Sequence, residues 1–384
     1  MRFSGEIGIK AEWTRRTYEN LVLANVYNTL KHHGVAYDRL SRRRGRIYVK
    51  SSNALEVAER LIRVFGISSV SPAASTTSDM GGIAKTAVAA ASEAVARGSS
   101  FAVRCHRVGE HAYSSPDVCR HVGEQILSKL AKKKISVDLT NPEFTINVEV
   151  REAEAYVFSE TSKGAGGFPV GSQGKVVGLL SGGIDSPVAL WLAMKRGCTV
   201  TPVYLDNAPL TDETTTEKAL ETARELFEWS ISYPRNVYVV PHGRNLQIIM
   251  ERTPRRFTCL LCKRMMYRIA ERIADLEKAE GIVTGEAIGE QASQTLINLR
   301  VLNEAARSYP VHRPLLGFDK VETEALARRI GTFETSTGKA SGCTAAPSQP
   351  STQALLDAVK KAEAKLDVQC MVEESVNAAR IITV

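Results

Sequence analysis

Short apolar runs and helix-period stripes alternate along the whole chain, and the manner of alternation changes near residue 175. In residues 1–70, Ile7 and Ile9 suit a short extended start. Tyr18, Leu21, Val22, Val26 and Leu30 recur at helical spacing up to Gly34, which predicts a helix with a glycine C-cap. Two short strands, 35–40 and 46–50, follow, and Asn53 with Glu56 predicts a capped helix through residue 65. Residues 71–160 read as a second α+β unit. It has an Ala-rich helix over 82–97, a strand at 101–104, and a helix from Ser115-Pro116 with Val118, Val122, Ile126, Leu127 and Leu130 on one face. Alternating strands at 144–150 and 155–159 complete it. Residues 161–174, TSKGAGGFPVGSQG, are glycine-rich, without periodicity, and read as a linker or extended loop. From Lys175 onward, apolar runs at 175–180, 199–205, 236–240 and 282–284 alternate with helical stripes such as 213–229. That order predicts a doubly wound parallel sheet with helices on both faces. Asp319 with Glu322 and then Gly331 brackets a further helix, and the last hundred or so residues read as mostly helical.

Composition narrows this picture only a little. The chain has 384 residues, enough for two or three domains, and is 43% hydrophobic and 24% charged. A net charge of +8 favours an anionic partner, nucleic acid before membrane. No stretch has the length and apolarity of a signal peptide or a membrane span, and seven cysteines in a chain of this size do not make a disulfide scaffold. A reducing cytoplasm is the expected location. The turn before residue 46 carries Arg42, Arg43, Arg44 and Arg46, which reads as a solvated hairpin tip or as a phosphate grip.

The densest chemistry lies at residues 176–186, VVGLLSGGIDS, an apolar strand running into a glycine turn and a helix start. Glycines let the backbone approach an anion, and a helix N-terminus offers unpaired N–H groups and a positive dipole end. The string SGGIDS after such a strand resembles the PP-loop of ATP pyrophosphatases, and no GxxxxGK[ST] occurs in the chain. In an open α/β sheet, ligands bind at the carboxyl ends of the strands. That predicts one crevice ringed by Ser181, Gly182, Gly183, Asp185, Ser186, residues 204–207 and Gly285-Glu286.

Two further resemblances follow. FAVRCHRVGEHAYSS with VDLTNPEFTINVEV resembles the THUMP domain, an RNA-binding module, and implies Arg104, Arg107, His111 and Lys163 as phosphate-facing residues. GEIGIK, GGFPVGSQGKVVGLLSGGIDSPVA, CKRMMYRIAERIA, TGEAIGEQASQTL and RPLLGFDKVETEALARRIGTFE occur in the order found in tRNA 4-thiouridine synthetases, the ThiI family. The resemblance implies an N-terminal ferredoxin-like unit (1–70), a THUMP domain (71–160), a linker (161–174) and a PP-loop domain (175–384). It also implies ATP-dependent conversion of uridine 8 of tRNA to 4-thiouridine, with the C-terminal rhodanese domain of many bacterial members expected to be lacking. By motif, the ATP contacts fall on Leu179, Leu180, Tyr204, Leu205, Lys263, Gly285 and Gln294 beside Ser181–Ser186, with Mg²⁺ helping to hold the pyrophosphate. Plain sheet core is the other reading for Leu179, Leu180 and Leu205, a turn for Gly285 and a solvated helix charge for Lys263. Tyr204 stands where bacterial relatives commonly have His.

The cysteines divide. Cys105, Cys119, Cys198 and Cys370 lie in strand or helix patterns and read as packing residues. Cys259 and Cys262 form a C-x-x-C before a helix, whose N-terminus is expected to lower their thiol pKa. Cys343, in KASGCTAAP, stands where the family keeps its catalytic cysteine. Relatives without the rhodanese domain imply an iron–sulfur cluster on Cys259, Cys262 and Cys343. A disulfide pair, or a persulfide on Cys343 resolved by Cys259 or Cys262, remains the other reading. The partners implied are tRNA and a sulfur donor, either sulfide or a cysteine desulfurase persulfide. A homodimer is left open. Rival functions are a PP-loop ligase or 2-thiouridine-type thiolase, and a non-catalytic tRNA-binding protein; the intact SGGIDS argues against the last.

Overall fold

The computed structural model describes residues 1–43, 45–338 and 343–384. These form two compact units. One comprises Met1–Phe3, His33–Ile62 and Ile67–Ala165; the other comprises Ser4–His32, Arg63–Gly66 and Gly166–Val384.

The first unit holds two five-stranded sheets. One runs Ser162–Lys163, Ile67–Val70, Arg2–Phe3, Arg46–Lys50, Arg39–Arg43, antiparallel throughout. Its hairpin corrects the strand expected at 35–40. Pairing of Arg42 with Ile47 and Arg43 with Arg46 carries the ladder up to the reversal at Gly45, which has φ +73°. Arg42 and Arg43 therefore belong to the strand, and Arg44 lies outside the described residues. Turn geometry fixes hairpin register, so a glycine able to take positive φ decides where the strand ends. The other sheet runs Ala74–Thr77, Glu154–Phe158, Phe144–Val150, Ser100–Arg107, Ser136–Val137. Helices Met80–Ala94 and Ser115–Lys129 cover it through Ile83, Ala87, Val118, Val122 and Ile126, against Phe101, Ile146 and Val148. The second helix begins at Ser115 as the sequence predicts, and Ser114 and Asp117 close a reciprocal capping box ahead of it.

In the second unit, Ile7 lies in a single helical turn, Gly5–Gly8, rather than an extended start. Ile7 is buried there while Ile9 is exposed. The predicted amphipathic stripe becomes the helix Glu12–His32. The central sheet has six strands in the order Val311–His312, Ile282–Val283, Lys175–Leu180, Thr199–Asp206, Asn236–Pro241, Arg380–Thr383. The first five are parallel; the last is antiparallel at the edge. That edge strand corrects the expectation of a mostly helical tail. RIIT is too short to declare itself, and pairing such as Val237 with Ile382 is what makes it a strand. Successive strands leave Lys175–Leu180 in opposite directions, so its carboxyl end is a topological switch point where such sheets open a crevice. The helix Thr258–Glu277 packs Leu260, Leu261, Met265, Ile269 and Ile273 into the core with Val177, Val203 and Val240. Among the described residues no helix is long and apolar enough to cross a membrane.

Candidate nucleotide and sulfur-transfer site

At the carboxyl end of Lys175–Leu180 the chain turns through 181–184 into the helix Asp185–Lys195. The loop is held from within. The amide of Ser181 donates to Ser186 Oγ at 2.8 Å, the two hydroxyls lie 3.0 Å apart, and the amide of Gly183 donates to Ser181 Oγ at 3.3 Å. Leu179 and Leu180 are buried in the strand, so any contact they make with a ligand is through the backbone. Gly285 is more than a turn residue. A Cβ there would stand 2.7 Å from the Ser186 amide and 2.8 Å from the Asp185 carbonyl carbon, so only glycine lets the Ile282–Val283 strand end approach the loop.

Asp185 receives the Lys320 ammonium at 2.9 Å, and the same nitrogen reaches Glu290 at 2.6 Å. Burial works to lower the Lys320 pKa, but the Glu290 and Asp185 carboxylates outweigh it and hold the ammonium above its ordinary value. Sequence reasoning missed Lys320 and Glu290. Lys320 directly follows the N-cap Asp319, whose capping box with Glu322 points the helix Lys320–Ile330 at the loop.

A buried carboxylate, Glu286, organises the neighbouring wall. Lys263 donates to it at 3.3 Å, Arg313 at 2.9 Å and Thr284 at 3.1 Å, and Tyr267 donates as well. Burial alone would raise its pKa; Lys263, Tyr267 and Arg313 more than offset that and hold it below the usual carboxylate range. Lys263 is thus fixed on Glu286 rather than being a solvated helix charge. Tyr204 and Leu205 are buried at the end of Thr199–Asp206, and Thr216 donates to the Tyr204 hydroxyl at 3.5 Å. Gln294 is buried in a short turn, and its Oε1 has no hydrogen-bond partner among the described residues.

Cys259 and Cys262 sit in the first turns of Thr258–Glu277, and Cys343 is exposed. The three thiols are close enough that Cys343 raises the pKa of both others. The expected lowering by the helix N-terminus does not hold. Burial pushes Cys259 up and Cys262 up to about 12, because desolvating a thiolate costs more than the helix end returns. His242, buried in the neighbouring wall, sets Nε2 3.3 Å from Cys262 Sγ. The loop bearing Cys343 is pinned behind it: the Thr344 amide and hydroxyl donate to Leu210 O at 3.2 and 3.1 Å. Among the described residues no group of three or more His, Cys, Asp or Glu stands ready to hold a metal. Of the remaining thiols, Cys105 and Cys119 are partly buried in the first unit. Cys370, read as a packing residue, is exposed beside Glu374 on the helix Val368–Asn377, because the apolar side of that helix is taken by Met371, Val372 and Val376.

In the first unit the candidate RNA residues differ in freedom. Arg43 faces Glu154 at 3.7 Å. Arg46 lies 3.4 Å from the buried Glu149, which also binds Arg151 and Arg2. Arg104 donates to Leu139 O. Arg107 reaches Gly109 O at 3.0 Å and His111 Nδ1 at 3.4 Å, and His111 contacts Arg151 O at 3.0 Å. Lys163 is exposed on an edge strand.

Known proteins match this chain along its length. The profile of the thiamine biosynthesis protein (ThiI) family matches residues 171–368, a THUMP domain profile matches 77–160, and the ThiI ferredoxin-like domain matches 1–71. A probable tRNA sulfurtransferase of Methanosarcina acetivorans is 40% identical over 380 residues, 98% of this chain and 92% of its own length. One from Methanothermobacter thermautotrophicus is 39% identical over 96% of this chain and 94% of its own. The crystal structure of a 4-thiouridine synthetase–RNA complex with bound ATP superposes with a TM-score of 0.89 at 32% identity, covering 100% of this chain and 98% of that one.

Proposed function

Since this chain belongs to the ThiI family, we propose that it converts uridine at position 8 of tRNA to 4-thiouridine. It is an ATP-dependent tRNA sulfurtransferase. The observation that carries the reading is the Asp185–Lys320–Glu290 bridge at the SGGIDS loop, a charge arrangement made for a metal-bound polyphosphate.

The reaction needs a leaving group on carbon 4 of the uracil. The 4-oxygen attacks the α-phosphorus of ATP, the bond to the bridging oxygen breaks, and pyrophosphate departs. A sulfur nucleophile then adds at carbon 4 and AMP leaves with the former 4-oxygen. Ser181, Gly182, Gly183 and Ser186 offer hydroxyls and amides to the phosphates, Asp185 a carboxylate to Mg²⁺, and Lys320 a cation to the developing charge. Leu179, Leu180, Tyr204, Leu205 and Gly285 line the nucleotide, Lys263 is held toward it by Glu286, and the unpaired Oε1 of Gln294 suits the exocyclic amine of adenine.

The thiols of Cys259, Cys262 and Cys343 influence one another electrostatically, and three thiolates are the donor chemistry of an iron–sulfur site, but as they stand among the described residues they are not gathered into a metal-holding group; a cluster would need the three to draw closer together. Bound there, a cluster supplies a site for sulfide. A second reading is favoured by the exposure of Cys343 against the burial of its partners: Cys343 carries a persulfide and Cys259 or Cys262 resolves it. In the cluster reading the donor is sulfide; in the persulfide reading the sulfane sulfur of Cys343 comes from a cysteine desulfurase persulfide, and the disulfide left after transfer is reduced by an external dithiol. In the first unit Arg42, Arg43, Arg104, Arg107, His111 and Lys163 form the candidate tRNA surface; Arg46 is given to Glu149, and Arg44 lies outside the described residues. The division 1–70, 71–160, 161–174 and 175–384 serves as a working set of domains, and the enzyme acts in the cytoplasm. Incubation with tRNA transcript, ATP, Mg²⁺ and a dithiol, with either sulfide or a cysteine desulfurase and cysteine, tests the reading. 4-Thiouridine formation matched by equimolar AMP supports it; AMP-independent sulfur uptake, or no thiolation of uridine 8, overturns it.

A further inference from the structure

One lysine at the glycine loop is not accounted for. Lys218 lies on the helix Glu213–Phe227, and its aliphatic stem covers the PP-loop. A Cβ on Gly182 would meet Lys218 Cδ at 3.5 Å and Cγ and Cε at 3.8 Å, which sets the ammonium one bond beyond the rim of the loop. That nitrogen donates to Gly338 O at 2.9 Å. Among the described residues it makes no ion pair, whereas the other two lysines of the site are bound to carboxylates, Lys320 to Asp185 and Glu290 and Lys263 to Glu286. Glu221, one turn along the same helix, is taken by Arg224. Burial lowers the Lys218 pKa with no carboxylate to restore it. The cation is partly buried with no counter-charge beside it, and it stands over a glycine loop at a helix N-terminus, a place suited to an anion.

We propose that Lys218 is a direct phosphate contact of the nucleotide site, neutralising the pyrophosphate end of ATP across Gly182. The inference rests on the ATP reading above and extends it to a residue outside every motif of that reading. Its ammonium carries three donors, so it holds Gly338 O and a phosphate oxygen together. As the bond from α-phosphorus to the bridging oxygen breaks, the electron pair passes to pyrophosphate, and a cation at that end stabilises the departing charge.

The test is calorimetric titration of the full chain with Mg²⁺–ATP, with Mg²⁺–pyrophosphate and with adenosine, for the natural protein and for Lys218→Met, Lys218→Gln and Lys218→Arg. Loss of one charge-assisted contact predicts about a tenfold or greater drop in affinity for ATP and pyrophosphate in the Met and Gln variants. Adenosine affinity should stay within about twofold, and Arg should retain most of the ATP affinity. Should the Met variant fail to fold, the Gln variant carries the comparison. Unchanged ATP and pyrophosphate affinity, or an equal loss for adenosine, overturns the assignment and leaves Lys218 a packing residue. If the natural protein binds neither ATP nor pyrophosphate, the ATP reading itself falls, and this inference with it.

Discussion

His242 Nε2 stands 3.3 Å from Cys262 Sγ. The imidazole is buried, which lowers its pKa to about 4 and leaves it neutral near pH 7. Asn245 donates an amide hydrogen toward Nδ1 at 3.5 Å and another to Ser375 Oγ at 2.7 Å. Nδ1 is then the acceptor, so the ring proton sits on Nε2 and points at the sulfur. A donor at that distance favours the Cys262 thiolate against burial, as does the nearby Lys263 charge.

Replacing His242 by Phe removes that donor while filling the space. Thiolation should fall about tenfold or more, the effect of one lost hydrogen bond to a charged sulfur. ATP-dependent AMP formation should change little, because His242 touches no group of the PP-loop. Gln at 242, which can still donate, should restore part of the thiolation. An equal loss of both activities would make His242 a general packing residue.

Asp185→Ala and Lys320→Met should each abolish thiolation and pyrophosphate release while leaving tRNA affinity nearly unchanged. The bridge between them serves the nucleotide, and the arginines proposed for RNA belong to the other unit. Filter binding with labelled tRNA checks this, and loss of tRNA binding in a folded variant would count against it.

The arginines should separate by partner. Alanine at Arg42 and Arg43, or at Arg104 and Arg107, should weaken tRNA binding and lower its salt slope by about one unit per lost phosphate contact. Arg46→Ala should instead cost about 1–3 kcal/mol of stability by denaturant titration, since it strips a partner from the buried Glu149. An unchanged salt slope in the first two variants would assign those arginines to a solvated face.

Alanine at Cys259, Cys262 or Cys343 should abolish thiolation singly, and at Cys105, Cys119, Cys198 or Cys370 should not. In anaerobically purified protein, iron and acid-labile sulfide should drop with each of the first three. Full activity in the Cys259→Ala, Cys262→Ala double variant would remove the cluster and leave the persulfide on Cys343.

Acid should loosen the helices around Arg264. Burial works to raise Glu304, but Arg264, Arg307 and Lys360 outweigh it and hold its pKa at about 2, while Arg264 and Arg268 hold Glu363 below its ordinary value. A carboxylate depressed in the folded state adds stability above its unfolded pKa of roughly 4.3, and that stability drains away as pH falls toward the folded pKa. The melting temperature should therefore decline from about pH 4.5 to about pH 2. Glu304→Gln should show a shallower decline across that window. An identical acid limb in that variant would contradict the assignment.

What the sequence alone determined was local or carried in contiguous strings. The SGGIDS loop after its apolar strand, the caps at Asn53 and Asp319 and the amphipathic stripe of Glu12–His32 depend on residues a few positions apart, so spacing suffices to read them. The family strings likewise fixed the order of the three domain types along the chain. Tertiary structure alone decided whatever joins distant residues or depends on burial. Lys320 meets Asp185 across 135 positions, and Lys218 covers Gly182 from a helix whose own pattern says nothing of a ligand. Arg46 is tied to Glu149, more than a hundred residues on, so a cluster that looked uniform on paper is divided in space. The strand Arg380–Thr383 exists only because the edge of Asn236–Pro241 offers it backbone partners. The thiols of Cys259 and Cys262 follow burial rather than the nearby helix end, because the cost of desolvating a charge is set by everything packed around it, and no string of neighbours in sequence records that.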